Sequence, residues 1–263
     1  MFWLMGLLGG ASVGVTLGLI GGGGSILAMP LMVHLLGVSS PHIAIGTTAV
    51  AVTANALVNL ALAARRNLIK WRCTVLFAVS GVAGATAGAA LGKRIDGQHL
   101  LLLFGLLMIV VGVLMFRPSA NPGDPQVHLD RRSVRHLAPR LVALGLGTGA
   151  VSGFFGIGGG FLIVPALILA TGMPVLMAVT SSLVAVAAFG MTTAASYAFA
   201  GLVDWNLAGI FILGGIGGGL IGSRLAARLS TRKHLLSRVF AGLVMAVGVY
   251  LGLSGLNNIR LLQ

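Results

Sequence analysis

The stretch GVTLGLIGGGGSILAMPLMV, residues Gly14–Val33, decides the fold, because it returns in the second half as GAVSGFFGIGGGFLIVPALI, residues Gly149–Ile168. Gly14 coincides with Gly149, Gly18 with Gly153, Gly21 with Gly156, Gly23 with Gly158 and Gly24 with Gly159; Leu27 meets Leu162 and Pro30 meets Pro165. A glycine run inside an apolar stretch, present once in each half, is the pattern of a membrane chain built on an internal two-fold repeat. After one deleted residue the repeat continues: Gly46-Thr47-Thr48 aligns with Thr180-Ser181-Ser182, Trp71 with Trp205, Gly81, Gly84 and Gly88 with Gly215, Gly218 and Gly222, and Arg94 with Arg228. The chain therefore divides into a first membrane repeat (1–116), a linker (117–139) and a second membrane repeat (140–263).

Lipid is the natural solvent for such a chain. Hydrophobic residues make up 57% of its 263 residues and charged residues 8%, against about 25% charged in a soluble domain. Apolar runs cover Phe2–Ile20, Gly24–Gly37, Ile43–Ala64, Thr74–Leu91 and Leu100–Phe116, then Leu141–Phe155, Gly160–Gly172, Val175–Ala200, Leu207–Ala226 and Leu235–Leu253. The fold class they predict is all-α and polytopic, each repeat holding a glycine-broken helical hairpin plus three spanning helices. Met1–Gly10 lacks the positive start and polar cleavage stretch of a signal peptide and reads as the first membrane segment. The net charge of +13 lies mostly between apolar runs, where membrane topology calls for it; no loop is long enough to fold as a basic domain, which excludes nucleic acid as a partner.

Charge also orients the halves. Arg65–Arg72 holds four positive residues, whereas its repeat equivalent Gly201–Trp205 holds none and carries Asp204. Equivalent loops of opposite bias belong on opposite sides of the membrane, so the repeats are expected to be inverted. Residues 65–72, the linker and 228–238 then lie in the cytoplasm and 201–205 outside; Lys93 and Arg94, on the outer side, are the exceptions. Inversion requires each glycine-broken segment to turn back as a hairpin. The arm Gly24–Gly37 reaches only about 21 Å, against a hydrocarbon core of about 30 Å, which favours V-shaped hairpins whose tips meet near the midplane.

A helix that begins at such a tip points free N–H groups and its positive dipole end into it, and glycine lets a ligand approach that backbone. The result is an anion site that needs no charged side chain, with Thr47, Thr48, Thr180, Ser181 and Ser182 able to add hydroxyl donors. The same glycines also serve tight helix packing. The acids favour the anion: Asp96, Asp124, Asp130 and Asp204 all lie in loops or at segment ends, and there is no glutamate. Carriers of cations bury carboxylates in the membrane, and this chain has none to bury. Its single cysteine and scattered histidines offer no metal cluster, no cofactor is implied, and no acid/base pair at a common depth suggests an enzyme. Asn55 and Asn59, one helical turn apart, and Ser196 are candidate pathway residues, equally suited to joining helices.

At these residues the chain resembles the TauE/SafE family of sulfite-exporter-like membrane proteins. The resemblance rests on GLIGGGGSILAMPLM (Gly18–Met32) with Gly46-Thr47-Thr48, and on GFFGIGGGFLIVPAL (Gly153–Leu167) with Thr180-Ser181-Ser182. The elements Asn67–Trp71 and Gly201–Trp205, each ending in Trp, are similar to the family's as well. Gly46-Thr47-Thr48 departs mildly from the commoner Gly-Thr-Ser and keeps the hydroxyl. The resemblance implies a multi-pass protein of the bacterial inner membrane that moves small sulfur-containing anions such as sulfite or organosulfonates, with that anion and membrane lipid as its partners. By motif position it implies substrate contacts at Gly21, Gly22, Gly23, Gly24, Thr47, Thr48, Gly156, Gly158, Gly159, Gly160, Ser181 and Ser182. An exporter, a passive anion channel and an uptake transporter of a related organic acid all fit these residues.

Overall fold

A computed structural model describes residues 2–20, 26–38, 40–64, 69–116, 134–156 and 160–229, together with Gly242, Met245, Ala246, Gly248 and Val249. Every regular element among them is helical: α1 (Phe2–Ile20), α2 (Ala28–Pro30) continuing into a π-helical turn (Leu31–Leu35), α3 (Pro41–Ala64), α4 (Trp71–Gly92), α5 (Gly97–Phe116), α6 (Val134–Phe155), α7 (Gly160–Thr171), α8 (Val175–Phe199) and α9 (Trp205–Leu229). Five of these (α3, α4, α6, α8 and α9) are long and apolar enough to cross a membrane. Leu8, Val79, Leu106, Leu169, Leu213 and Ile221 stand exposed on the helix surfaces, where lipid rather than water is their natural solvent. The chain is an all-α polytopic membrane protein.

Two boundaries differ from the apolar runs. The helix α6 starts at Val134, so Val134–Pro139, expected in the linker, is helical. Arg135 and Arg140 are exposed and continue the helix past its apolar stretch, and hydropathy alone does not register such a polar turn. The arm expected as a regular helix over Gly24–Gly37 is instead three α-helical residues and a widened turn, in which Leu36 N–H donates to Leu31 O at 3.2 Å. Pro30, in the first turn of α2, sacrifices no ladder bond because its missing N–H would be an orphan there. Both second arms are short; α7, with twelve residues, extends about 18 Å. Gly37 (φ 64°) and Gly172 (φ 71°), equivalent in the repeat, follow the two arms in left-handed backbone, the usual role of glycine just past a helix end. The linker residues 117–133, the loop Arg65–Leu68 and most of Leu235–Leu253 lie outside the described residues.

Packing follows the glycines. The helix α1 lies along α9: Gly10, Gly14 and Gly18 face Phe211, Gly215 and Gly219 in rising order, so the two run parallel. In the same way Gly84, Gly88 and Gly92 of α4 rise along Leu146, Ala150 and Phe154 of α6. At each of these positions a Cβ would run into backbone of the neighbouring helix. Small residues every fourth position allow this approach, and without a hydrophobic drive inside lipid such close contact supplies much of the association energy. Between these pairs α3 and α8 cross antiparallel, with Thr53 at Gly190 and Gly46 at Tyr197. Asn55 and Asn59 of α3 seat on Gly215 and Gly219 of α9, while Phe189 of α8 seats on Gly81 of α4 and stacks on Phe77 with ring centroids 6.0 Å apart. Gly215 and Gly81 are repeat equivalents, as are Asn55 and Phe189, so the same slot takes an amide in one half and a ring in the other.

Candidate functional site

The hydroxyl motifs are built at the start of the two central helices and are wholly or almost wholly buried: Thr47 and Thr48 on α3, Ser181 and Ser182 on α8. Thr47 Oγ1 accepts the backbone N–H of Asp204 at 3.0 Å, and Ser181 Oγ accepts the backbone N–H of Lys70 at 3.1 Å. Asp204 and Lys70 stand immediately before Trp205 and Trp71, where α9 and α4 begin. These are repeat-equivalent contacts with the halves exchanged: each half's hydroxyl holds the helix start of the other. Thr48 and Ser182 instead donate to carbonyls three residues back, Ile45 O and Val179 O. Thr47 and Ser181 thus have oxygens engaged as acceptors, and among the described residues no acceptor takes either hydroxyl hydrogen.

Of the expected tip residues, Gly21, Gly22, Gly23, Gly24, Gly158 and Gly159 lie outside the described residues, and Gly160 opens α7. Gly156 is described. It ends α6 in left-handed backbone (φ 67°), its N–H reaching Gly153 O at 3.2 Å, and its Cα faces Ile45 so closely that a Cβ would collide with that side chain. Ile45 immediately precedes Gly46-Thr47-Thr48, so the break after α6 meets the hydroxyl motif of the first half. Since Phe154 lies against Gly92 at the end of α4, this break stands near one end of the helices and not midway along them, where the tip was expected. Phe155, the residue before Gly156, packs against Phe104 with ring centroids 5.5 Å apart and edge-on to Phe154 at 4.9 Å, in the same buried cluster as Ile45. Gly46 admits the loop before α9: a Cβ there would strike Leu202 O.

The polar residues of the spans divide. Asn59 donates to Asn55 O at 2.9 Å, which binds one turn of α3 to the next, while both amide atoms of the fully buried Asn55 have no hydrogen-bond partner among the described residues. Ser196 is engaged by Lys93, whose Nζ donates to Ser196 Oγ at 2.9 Å and to Ser196 O at 3.2 Å. Sequence reasoning passed over Lys93 and the N–H groups of Lys70 and Asp204. The last two had a signal, the aligned elements ending in Trp71 and Trp205; Lys93 had only its position on the wrong side of the charge scheme. Among the described residues no group of three or more His, Cys, Asp or Glu could hold a metal ion. Because α3 and α8 are antiparallel, Thr47 and Thr48 lie beside the Tyr197 end of the pair and Ser181 and Ser182 beside the Lys70 end, so among the described residues the two hydroxyl motifs are held apart rather than gathered into one site.

A family profile described as Sulfite exporter TauE/SafE matches residues 6–251. A probable membrane transporter protein of Xylella fastidiosa strain 9a5c is 54% identical over 92% of this chain and 91% of its own length. The probable membrane transporter protein YunE of Bacillus subtilis is 26% identical over 85% of this chain and 88% of its own. The probable membrane transporter protein MJ0441 of Methanocaldococcus jannaschii is 30% identical over 61% of this chain and 60% of its own. No solved structure matches.

Proposed function

The chain belongs to the sulfite exporter TauE/SafE family, and from that premise we propose a secondary transporter that exports a small sulfur-containing anion, sulfite or an organosulfonate, across the bacterial inner membrane. Membrane transport follows from the family and from relatives named as transporters; substrate and direction are our reading. The observation that carries the anion is where the charges lie. Asp96 and Asp204 are exposed at helix ends, while the buried polar residues near the repeat motifs, Thr47, Thr48, Ser181, Ser182, Asn55 and Asn59, are all neutral. A cationic cargo would find no counter-charge there; an oxyanion would find donors.

In this reading the binding residues are Gly21–Gly24, Gly156 and Gly158–Gly160 at the two tips, with Thr47, Thr48, Ser181 and Ser182 beside them and Asn55, Asn59 and Ser196 along the path. The repeats are inverted. Support comes from α3 and α8, equivalent in sequence yet antiparallel in contact, and from the short second arms, which return the chain between parallel neighbours. Export needs no buried proton carrier, because an inside-negative potential favours outward movement of an anion by about 2.3 kcal/mol per charge per 100 mV, a concentration ratio of about fifty.

The test is a thermal-shift titration of the purified protein with sulfite, sulfate, thiosulfate, taurine, sulfoacetate and carboxylate controls, followed by efflux from proteoliposomes under an imposed potential. Stabilisation by a sulfur oxyanion or sulfonate, with efflux that rises with internal negativity, is the expected result. Proton-driven import of a neutral or cationic solute would overturn the reading.

A further inference from the structure

We propose that Lys93, held by Ser196 above the ring of Tyr197, is a charged docking point for the anion at the end of the molecule where the second hairpin bends. This rests on the anion reading above and names a residue that neither the repeat nor the family motif contains.

Lys93 follows α4 and is partly buried. Among the described residues no carboxylate pairs with it: Asp96 turns to His99 at 3.3 Å and Asp204 accepts the N–H of Leu207 at 3.0 Å. An ammonium has three donors, and Lys93 spends two of them on the neutral oxygens of one residue, Ser196. Its Nζ stands 5.8 Å from the centroid of the Tyr197 ring, which attracts the cation without neutralising it. Tyr197 is itself fully buried, and its hydroxyl has no hydrogen-bond partner among the described residues. Buried phenols normally find one. Among the described residues Lys93 and Tyr197 thus present a charged N–H and an O–H without an acceptor, on two side chains that meet over one ring, and the ligand class that takes two donors and a positive charge is an oxyanion.

Position connects the pair to the hairpin. Tyr197, Ile45 and Phe155 belong to one buried cluster, and Ile45 is the side chain against which Gly156 bends. A purely structural account, in which Lys93 only satisfies the last carbonyls of α8, leaves the Tyr197 hydroxyl unexplained. It also meets the repeat: the position equivalent to Lys93 is Ala227, through which α9 simply continues. Lys93 therefore has no counterpart at the equivalent position of the second half, although Arg94 and Arg228 do correspond, and it stands where a sulfite or sulfonate group would be received after passing the bend.

Affinity of the full-length protein for sulfite and taurine, in detergent or nanodiscs, tests this with Lys93→Gln, Lys93→Arg and Tyr197→Phe. Lys93→Gln should weaken the anion by about tenfold or more, Lys93→Arg should restore most of that loss, and Tyr197→Phe should cost several-fold, with anion-free melting temperatures close to that of the unaltered chain. Unchanged affinity in Lys93→Gln overturns the proposal, as does equal weakening in Lys93→Gln and Lys93→Arg. Should Lys93→Gln fail to fold, the near-isosteric Tyr197→Phe decides, and full retention of affinity there overturns it. An unaltered chain that binds none of these anions would instead sink the anion reading itself.

Discussion

Gly156 is demanded twice, by its left-handed backbone and by Ile45 against its Cα. Gly156→Ala should therefore cost about 2–4 kcal/mol, combining αL strain with an overpacked contact. Gly172→Ala, at φ 71° with nothing within 4 Å of a new Cβ, should cost only about 1 kcal/mol. Denaturant unfolding in detergent separates the two, and Ile45→Ala should relieve part of the Gly156→Ala loss; equal costs at both glycines would contradict the contact. A second prediction concerns the hydroxyls. Thr47→Val and Ser181→Ala each leave a helix-start N–H without its acceptor and should each lower stability by about 1 kcal/mol in the same unfolding measurement. The residue types at both motifs were legible in the sequence. Their partners were not, because Asp204 and Lys70 lie 157 and 111 residues away, and a hydroxyl's partner is set by tertiary contact rather than by spacing.

Glycine at the level of the element has a different task. Of the glycines shared by the two halves, Gly14, Gly18, Gly149 and Gly153 do not bend anything: they sit inside α1 and α6 and admit backbone from α9 and α4. Gly156, like Gly37 and Gly172, stands instead in left-handed backbone at a helix end. Composition cannot separate these roles, since a packing glycine and a bending glycine are the same residue in the same apolar run; the neighbour that a Cβ would meet separates them. Adjacent positions on α9 allow a clean measurement. Gly218 meets Ala11 backbone, whereas Gly217 faces open space. Gly217→Ala should be neutral or stabilising by about 0.5–1 kcal/mol, because alanine loses less backbone entropy in a helix. Gly218→Ala should be destabilising by about 1–3 kcal/mol through forced separation of α1 and α9. Similar melting temperatures for both would mean the interface is looser than the contacts require. Helix limits were legible where hydropathy changes abruptly, as for α1 at Phe2–Ile20, and illegible where polar residues prolong a helix, as in the first turns of α6.

For the whole molecule the sequence repeat establishes equivalence but not direction. Direction entered only through loop charge, four basic residues in Arg65–Arg72 against none in Gly201–Trp205. The contacts supply an independent argument. The helix α3 is parallel to α9, and α8 to α4, while α3 and α8 oppose each other, so Ala64 and Phe199, which close the two central helices, sit at opposite ends of the pair. If a membrane lies across that pair, the loops that follow face opposite compartments. Cys73 is the chain's single cysteine and is buried, so a Cys73→Ala background permits site-directed labelling. In right-side-out vesicles Ala200→Cys should react with a membrane-impermeant maleimide, and Asn67→Cys should react only after the membrane is opened; inside-out vesicles should reverse the pattern. Labelling of both positions from one side would make the halves parallel. That outcome would remove the two-sided geometry on which alternating access depends, because broken helices entering from one face cannot serve both compartments in turn.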